Sequence, residues 1–566
     1  MKNNNWYWLT EDSRTILSRG YIPSDNEIVT KQEVKDRVRV ICNTFENYLN
    51  LMNLSDKSFE GYSDKLYDYV SKGWVSFSSP VWSNYGTDRG LPVSCNNSHI
   101  TDSVEGILYT ASEIGMMTKY GSGTSAYLGE LRPRGSSISV GGYSYGPSHF
   151  VPIYESTVDI VSQSNVRRGN CAIYQDVEHP DISEFLEFRE EGSPVQHLSL
   201  GVVLGDEWLN EMLDGDPSDS SVQQKRNTWK RILRKREETG YPYLFFRDNA
   251  NNDAPSYYKG KIKSSNLCNE CHLPSNSEES FVCVTCSANV AHFHEWKDTD
   301  FIQTFLMFLD TVNEEYVQKT ENLPFMQRPH RFAKNHRALG LSQLGYHSLL
   351  LSKNLPYESE EARSLNIEIA QYINSETKIS TVKMGEWFGP CIAGDGVVRN
   401  TTRLMNAPTT SSSAILGFVS PSTEPLQDNY FIKDLAKGKF SYRNPHLTNT
   451  LESYNKNNEE IWSSILRQAG SVQHLSFLTP HEKEVFKTFE EISQFEIITQ
   501  AATRQQYIDQ GQSLNVKINS NTSAKEISDL LIAGWRMGIK GFYYHISTNS
   551  AQSKTRSLMN CTACEA

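Results

Sequence analysis

Asn266-Leu267-Cys268-Asn269-Glu270, with Cys283 fifteen residues beyond Cys268, is the stretch on which the reading of this chain turns. In an extended segment the Cys268 thiol and the Glu270 carboxylate point to the same side. Asn266, two residues before the thiol, shares that side. A hydrogen-atom or nucleophile chemist, a proton acceptor and a hydroxyl-binding carboxamide then stand in one row. The same stretch carries a rival reading. Cys268-x-x-Cys271 and Cys283-x-x-Cys286 have the spacing of a four-thiolate zinc site, as in a zinc-ribbon scaffold. Ribbon knuckles usually set Gly beside their cysteines to allow tight turns, and no Gly occurs from Cys268 to Cys286.

Composition narrows the field. The chain has 566 residues, 38% of them hydrophobic, enough for a large buried core. That length suits several domains or one large barrel. The net charge is −12 with acids and bases well mixed, which argues against a dedicated nucleic-acid binder. No run of about 18 apolar residues occurs, so no membrane span is expected. The start, Met1-Lys2-Asn3-Asn4-Asn5, lacks the apolar core of a signal peptide. Ten cysteines without a secretion signal point to a reducing, cytoplasmic setting. There, thiols are more often catalytic, redox-active or metal-bound than structural disulfides.

The pattern divides the chain into three regions. Residues 1–74 are mainly helical, with Val38, Ile41, Phe45 and Leu49 at helical spacing. Over 75–546 short apolar runs alternate with helical segments, which implies parallel strands joined by crossovers. One helix is predicted over 299–317, where Phe301, Phe305, Phe308, Leu309 and Val312 share a face. Another starts at Ser523, with Glu526 completing a capping box, and runs towards Met537. Gly541 to Ile546 then reads as one strand. Residues 547–566, rich in Ser, Thr and Asn without periodicity, read as a flexible tail.

Taken with motifs elsewhere, the Cys268 region resembles the large catalytic subunit of ribonucleotide reductase. Asn266-Leu267-Cys268-x-Glu270 matches that family's finger loop, and Cys283-x-x-x-Ser287-x-Asn289 matches its redox strand. Asp12-Ser13-Arg14, Ser94-Cys95, Lys119-Tyr120-Gly121-Ser122-Gly123 and Leu131-Arg132-Pro133-Arg134-Gly135 follow the family's order. So do Asn165-Val166-Arg167-Arg168-Gly169, Asn406-Ala407-Pro408-Thr409-Thr410-Ser411 with Glu424-Pro425, and the run from Arg504 to Asn515. Tyr543-Tyr544 and Cys561-x-x-Cys564 complete the set. Each motif alone is weak, and their joint order is specific.

The resemblance implies a fold and a chemistry. The fold is a ten-stranded α/β barrel of two five-stranded parallel halves. The reaction is thiyl-radical reduction of ribonucleoside diphosphates. Cys268 takes the 3′-hydrogen, Glu270 accepts the 3′-hydroxyl proton, and Asn266 holds the substrate hydroxyls. Cys95 and Cys283 supply two electrons by forming a disulfide, a demand that two strands meet across 188 residues. Ser79, Ser94 and the turn Pro408, Thr409, Thr410, Ser411, Ser412 and Ser413 bind substrate, the turn by its hydroxyls and helix start. Asp102, Arg132, Arg167 and Arg168 serve a nucleotide effector (ATP, dATP, dTTP or dGTP) bound between two copies of the chain.

Tyr543 and Tyr544 pass a radical from a separate metal-bearing small (beta) subunit, as in class I of the family. Adjacent strand residues face opposite sides, so stacking both requires a local distortion. A cobalamin-dependent member needs no such pair, and a glycyl-radical member carries a Gly-centred motif that is missing here. This chain itself is expected to bind no metal and no cofactor beyond effectors. Cys561 and Cys564 carry electrons in from thioredoxin or glutaredoxin. The Asp12-Ser13-Arg14 motif comes so early that no N-terminal ATP-cone is expected. Cys271 and Cys286 become bystanders, as do Cys42, Cys171 and Cys391. A nucleotide-binding but inactive relative is the remaining alternative, against which every chemically required residue is present.

Overall fold

The helical spacing near the start becomes three helices, Glu11–Leu17, Lys31–Met52 and Tyr62–Ser71. Thr30 and Glu33 close a capping box that starts the second. Its apolar face, including Val38, Ile41, Phe45 and Leu49, is buried in the same core as the strands that follow. The computed structural model describes residues 5–139, 141–161, 169–258, 260–435, 438–519 and 521–547. Arg167, Arg168, Cys561 and Cys564 lie outside the described residues.

A two-residue strand, β1 (Val75–Ser76), opens the sheet. Strands β2 (Cys95–His99), β3 (Thr124–Tyr127), β4 (Cys171–Asp176), β5 (Ser199–Leu204) and β6 (Tyr243–Phe246) pair in that order, every pair parallel. Helices cross between them, as parallel pairing demands. This is one five-stranded half. The second begins with β7 (Phe281–Asn289) and β8 (Leu339–Leu344), also parallel. It continues through short segments: Leu341 bridges Leu404 and Asn406 bridges Gln512, both in parallel. A hairpin of β9 (Tyr430–Leu435) and β10 (Gly438–Arg443) lies apart from this sheet. The end of the chain adds β11 (Val516–Ile518), β12 (Gly541–Phe542) and β13 (His545–Ser547).

Hydrogen bonds close the sheet on itself. β2 runs antiparallel to β7, and β12 antiparallel to β6. Tyr543 N donates to Leu514 O at 2.8 Å, and Ser513 N donates to Asn406 O at 2.9 Å. Two parallel halves thus meet at two antiparallel seams, β2–β7 and β6–β12. The halves are unequal. The first has five full strands, whereas the second has two, completed by 404–406, 510–514 and β12.

The interior helix extends over Phe301–Thr320 and is buried round most of its circumference, not on one face only. It packs against Lys31–Met52, Gln327–His336 and Glu360–Phe388, which leaves it no solvent side. The Ser523–Glu526 capping box starts a helix over Ala524–Arg536. The single strand expected from Gly541 to Ile546 is split: β12 stops at Phe542 and β13 starts at His545. A second apolar core, with Leu426, Tyr442, Leu447, Trp462 and Phe486 among its members, sits under the β9–β10 hairpin.

Candidate active site

The two seams hold the site between them. In the β2–β7 seam, Cys95 is the direct cross-strand partner of Cys283. Facing antiparallel residues have Cα atoms about 4.5–5.5 Å apart, inside the range a disulfide spans. Both cysteines are buried. Gln510 Nε2 lies 3.4 Å from Cys283 Sγ, and Ser94 Oγ lies 3.7 Å from Cys95 Sγ.

Cys268 enters the barrel on a turn, as the finger-loop match implies, and not through the alternation of an extended segment. Asn269 has φ of 64°, in the left-handed region that Asn tolerates better than most residues. Tertiary bonds hold it there. Asn269 Nδ2 donates to Leu244 O at 3.0 Å and Phe542 O at 3.2 Å, one carbonyl on each strand of the β6–β12 seam. Tyr174 Oη donates to Asn266 O at 2.7 Å. Asn266 Oδ1 accepts from the backbone N–H groups of Glu270 and Cys271, each at 3.0 Å. Cys268 is half-buried, and Cys268, Glu270, Asn266, Cys95 and Tyr543 all line one pocket. The turn therefore brings together what alternation on a strand was expected to align.

Glu270 is 1% exposed, and burial pushes its carboxyl up to about 7. Hydrogen bonds from Asn266 and Ser513 oppose that rise and favour the ionised form. Ser513 Oγ lies 2.9 Å from a Glu270 oxygen and 2.6 Å from Cys268 O, so it ties the base to the backbone of the Cys268 turn. Nothing in the finger-loop motif points to Ser513. Its neighbour Gln512, gripped by Arg504 Nε at 2.7 Å, belongs to the Arg504–Asn515 run and carried the available signal.

Cys271 is buried against the reacting groups. Its thiol, the Cys95 thiol and a Glu270 oxygen lie within 4.8 Å of one another. Burial first, and the adjacent Cys283 and Cys95 thiols second, raise its pKa well above the ordinary thiol value. The four-thiolate zinc arrangement does not form. Cys283 and Cys286 stand an odd number of positions apart on the continuous strand β7, so they leave opposite faces. Cys286 accepts from Ser78 N at 3.3 Å instead. Among the described residues, the only group of three or more potential metal ligands is Cys95, Glu270 and Cys271.

The same pocket is lined by Ser79, Ser94, Pro408, Thr409, Thr410, Ser411 and Ser412. Thr409, at φ 54°, precedes the short helix Thr410–Ile415. Ser413 is the exception. It does not line the pocket, because its hydroxyl turns back to donate to Val419 O. Asp102 and Arg132 are found in contact, Arg132 Nε donating to Asp102 Oδ2 at 2.8 Å, both partly exposed beside the helix Val104–Lys119.

The break after β12 lets the Tyr543 and Tyr544 rings meet, with centroids 4.2 Å apart and planes tilted by 55°. Two further tyrosines join them. Tyr243 lies 4.6 Å from Tyr543 and 5.2 Å from Tyr544, and Tyr241 lies 5.2 Å from Tyr544. Neither was singled out by motif. No helix among the described residues is long and apolar enough to cross a membrane.

Comparison with known proteins agrees with this geometry. The family model described as "Ribonucleotide reductase, barrel domain" matches residues 93–219, 213–396 and 391–545. A large subunit of ribonucleoside-diphosphate reductase from Invertebrate iridescent virus 3 is 30% identical over 89% of this chain and 92% of its own length. The "Putative ribonucleoside-diphosphate reductase large subunit" of Frog virus 3 (isolate Goorha) is 33% identical over the same shares. The solved structure of the Actinobacillus ureae class Id ribonucleotide reductase alpha subunit is 43% identical, covers 99% of this chain and 100% of its own, and superposes with a TM-score of 0.89. With its closed barrel and this pocket, the chain belongs to the ribonucleotide reductase family.

Proposed function

We infer that this chain is the catalytic large subunit of a ribonucleoside-diphosphate reductase, converting ribonucleoside diphosphates to 2′-deoxyribonucleoside diphosphates. The observation that carries this reading is the cross-strand register of Cys95 and Cys283, with Cys95 lining the same pocket as Cys268 and Glu270.

The chemistry follows from what each group can do. Hydroxide leaves poorly from an unactivated carbon, so C2′ is hard to reduce by polar steps. A Cys268 thiyl takes the 3′-hydrogen and makes a neighbouring radical. Glu270, whose carboxyl is poised at about 7, accepts the 3′-hydroxyl proton as C2′ loses water. Cys95 and Cys283 then give two electrons and become a disulfide, and Cys268 returns the hydrogen to C3′. The balance is one ribonucleotide and two thiols giving one deoxyribonucleotide, one disulfide and one water. Asn266 orients Glu270 through its carboxamide and stands where substrate hydroxyls would reach it. Thr409 to Ser412 offer hydroxyls to the diphosphate.

The remaining roles rest on resemblance and are part of the same proposal. A metal-bearing small subunit supplies the radical through Tyr544 and Tyr543. Cys561 and Cys564 relay electrons from thioredoxin or glutaredoxin to the buried disulfide. Asp102, Arg132, Arg167 and Arg168 serve an effector nucleotide that selects the base. The exposed Val104 and Leu108 of the helix beside Asp102 favour a second copy packing there, so a homodimer is expected. The deciding assay mixes the chain with candidate small subunits, a dithiol and CDP, and measures dCDP. Formation of dCDP that needs both subunits is the expected result. Its absence with every radical-competent small subunit would refute the reading.

A further inference from the structure

We propose that Tyr241 is a third phenol of the radical path, standing outside Tyr544, so that the order from the outside is Tyr241, Tyr544, Tyr543 and Cys268. The proposal rests on the reading of Tyr543 and Tyr544 as radical carriers.

The geometry singles Tyr241 out. Its hydroxyl lies 3.0 Å from the Tyr544 hydroxyl, within hydrogen-bond distance, and the rings meet edge to face at 76°. Ser199, fixed on β5, has its hydroxyl 3.4 Å from the same oxygen. A tyrosine oxidised at neutral pH must release its proton as it loses its electron. Inside a buried cluster water cannot take that proton, whereas a hydrogen-bonded phenol can exchange it in the same event. The step balances within the pair: a Tyr241 oxyl radical takes one hydrogen atom from the Tyr544 hydroxyl, leaving Tyr241 a phenol and Tyr544 the oxyl radical. The first hydrogen atom leaves Tyr241 for the radical of the partner subunit, which is reduced by it. From Tyr544 inward the rings of Tyr544 and Tyr543 lie 4.2 Å apart between centroids, their planes tilted by 55°, and Tyr543 reaches the pocket of Cys268.

Charge gives the path a direction. The Arg189 guanidinium lies 4.5 Å from the centre of the Tyr241 ring. Arg189 is anchored by an Nη1 hydrogen bond to Leu198 O at 3.0 Å. A fixed positive charge against this ring makes it harder to oxidise than Tyr544, so the radical state passes inward from Tyr241 as the hydrogen atom passes outward. Tyr243 is completely buried and fills the space between the other three rings, which marks it as packing for the set.

The test uses the full chain with its radical-generating partner, CDP and effector. Tyr241→Phe keeps the ring and removes only the hydroxyl. It should bring turnover down to background, because a phenyl ring has no hydroxyl hydrogen to relay, with binding of CDP unchanged. In a second variant, 3-aminotyrosine, which is easier to oxidise, replaces Tyr241. On mixing, an aminotyrosyl radical should appear in the electron paramagnetic resonance spectrum as the partner's radical decays. A Tyr241→Phe enzyme at full rate would overturn the proposal. So would a slowed enzyme in which 3-aminotyrosine traps the radical at position 544 but never at 241, since Tyr241 would then only position its neighbour. Trapping at neither position would refute the radical-path reading itself, and the proposal with it.

Discussion

The two seams of the barrel do different work because they are built differently. The β2–β7 seam is regular, and register alone sets Cys95 against Cys283. Two thiols exchanging for a disulfide need only that separation, which a sheet supplies with little help from side chains. At the β6–β12 seam only Gly541 and Phe542 pair with β6, after which the strand breaks and the Tyr543 and Tyr544 rings come into tilted contact. Its opened edge also receives Asn269, which pins the Cys268 turn to Leu244 O and Phe542 O. In the proposed mechanism the electron-pair chemistry thus sits on a regular ladder, and the one-electron chemistry sits where the ladder fails. The lesson is that the irregular seam depends on particular side chains, and the regular one on the fold.

The largest effect is expected at the turn that joins the seams. Cys268→Ser should reduce turnover to background while leaving thermal unfolding within about 1 kcal/mol of wild type, since the side chain is half-buried and the change nearly isosteric. Measurable dCDP formation by this variant would remove Cys268 from its role.

Glu270 comes next and predicts two opposite responses. Glu270→Gln should lose about 10²–10⁴-fold in turnover, since the amide accepts no proton. The wild-type rate should rise with pH through about 7 and level off above it, as the carboxylate forms. Stability should move the other way. The folded-state value of about 7 lies above the ordinary 4.5, so the folded protein holds the proton more tightly than the unfolded chain does. That contribution is fully present below pH 4.5 and is lost as pH rises through 7, amounting to roughly 3 kcal/mol. Glu270→Gln should therefore unfold at a higher temperature than wild type at pH 8, with the gap closing at pH 4.5. A gap independent of pH would show that the carboxyl is not perturbed by burial.

Ser513→Ala should have the smallest effect. It removes one hydrogen bond to Glu270 and should cost about 2–10-fold in turnover, equivalent to roughly 0.5–1.5 kcal/mol. It should also raise the midpoint of the pH–rate profile, because a bond that favours the carboxylate is gone. An unshifted midpoint would leave Ser513 as packing.

Much of this organisation is legible in the sequence. The alternation from Val75 onward becomes the parallel half β2–β6, and the Ser523–Glu526 box starts its helix where expected. The adjacent tyrosines demanded a distorted strand, and the distortion is there. What the sequence hides is tertiary. Asn269 adopts its left-handed turn because two carbonyls from strands remote in sequence hold its amide, so alternation across Cys268 and Glu270 gave the right neighbours for the wrong local reason. Segments 404–406 and 510–514 are too short for a period-two pattern to register. The β9–β10 hairpin carries its own apolar core, which no motif announces. Ser513, Tyr241 and Cys271 acquire their surroundings only when the barrel closes.

The central claim is that Cys95 and Cys283 are the two-electron donor beside the Cys268 turn. The most direct measurement is a single turnover from fully reduced enzyme with partner subunit and CDP, in the Cys561→Ser, Cys564→Ser background, followed by quenching, thiol alkylation and mass spectrometry of the peptides. One Cys95–Cys283 disulfide for each dCDP formed is the result predicted. A dCDP burst with both cysteines still alkylated, or with the new disulfide elsewhere, would contradict it.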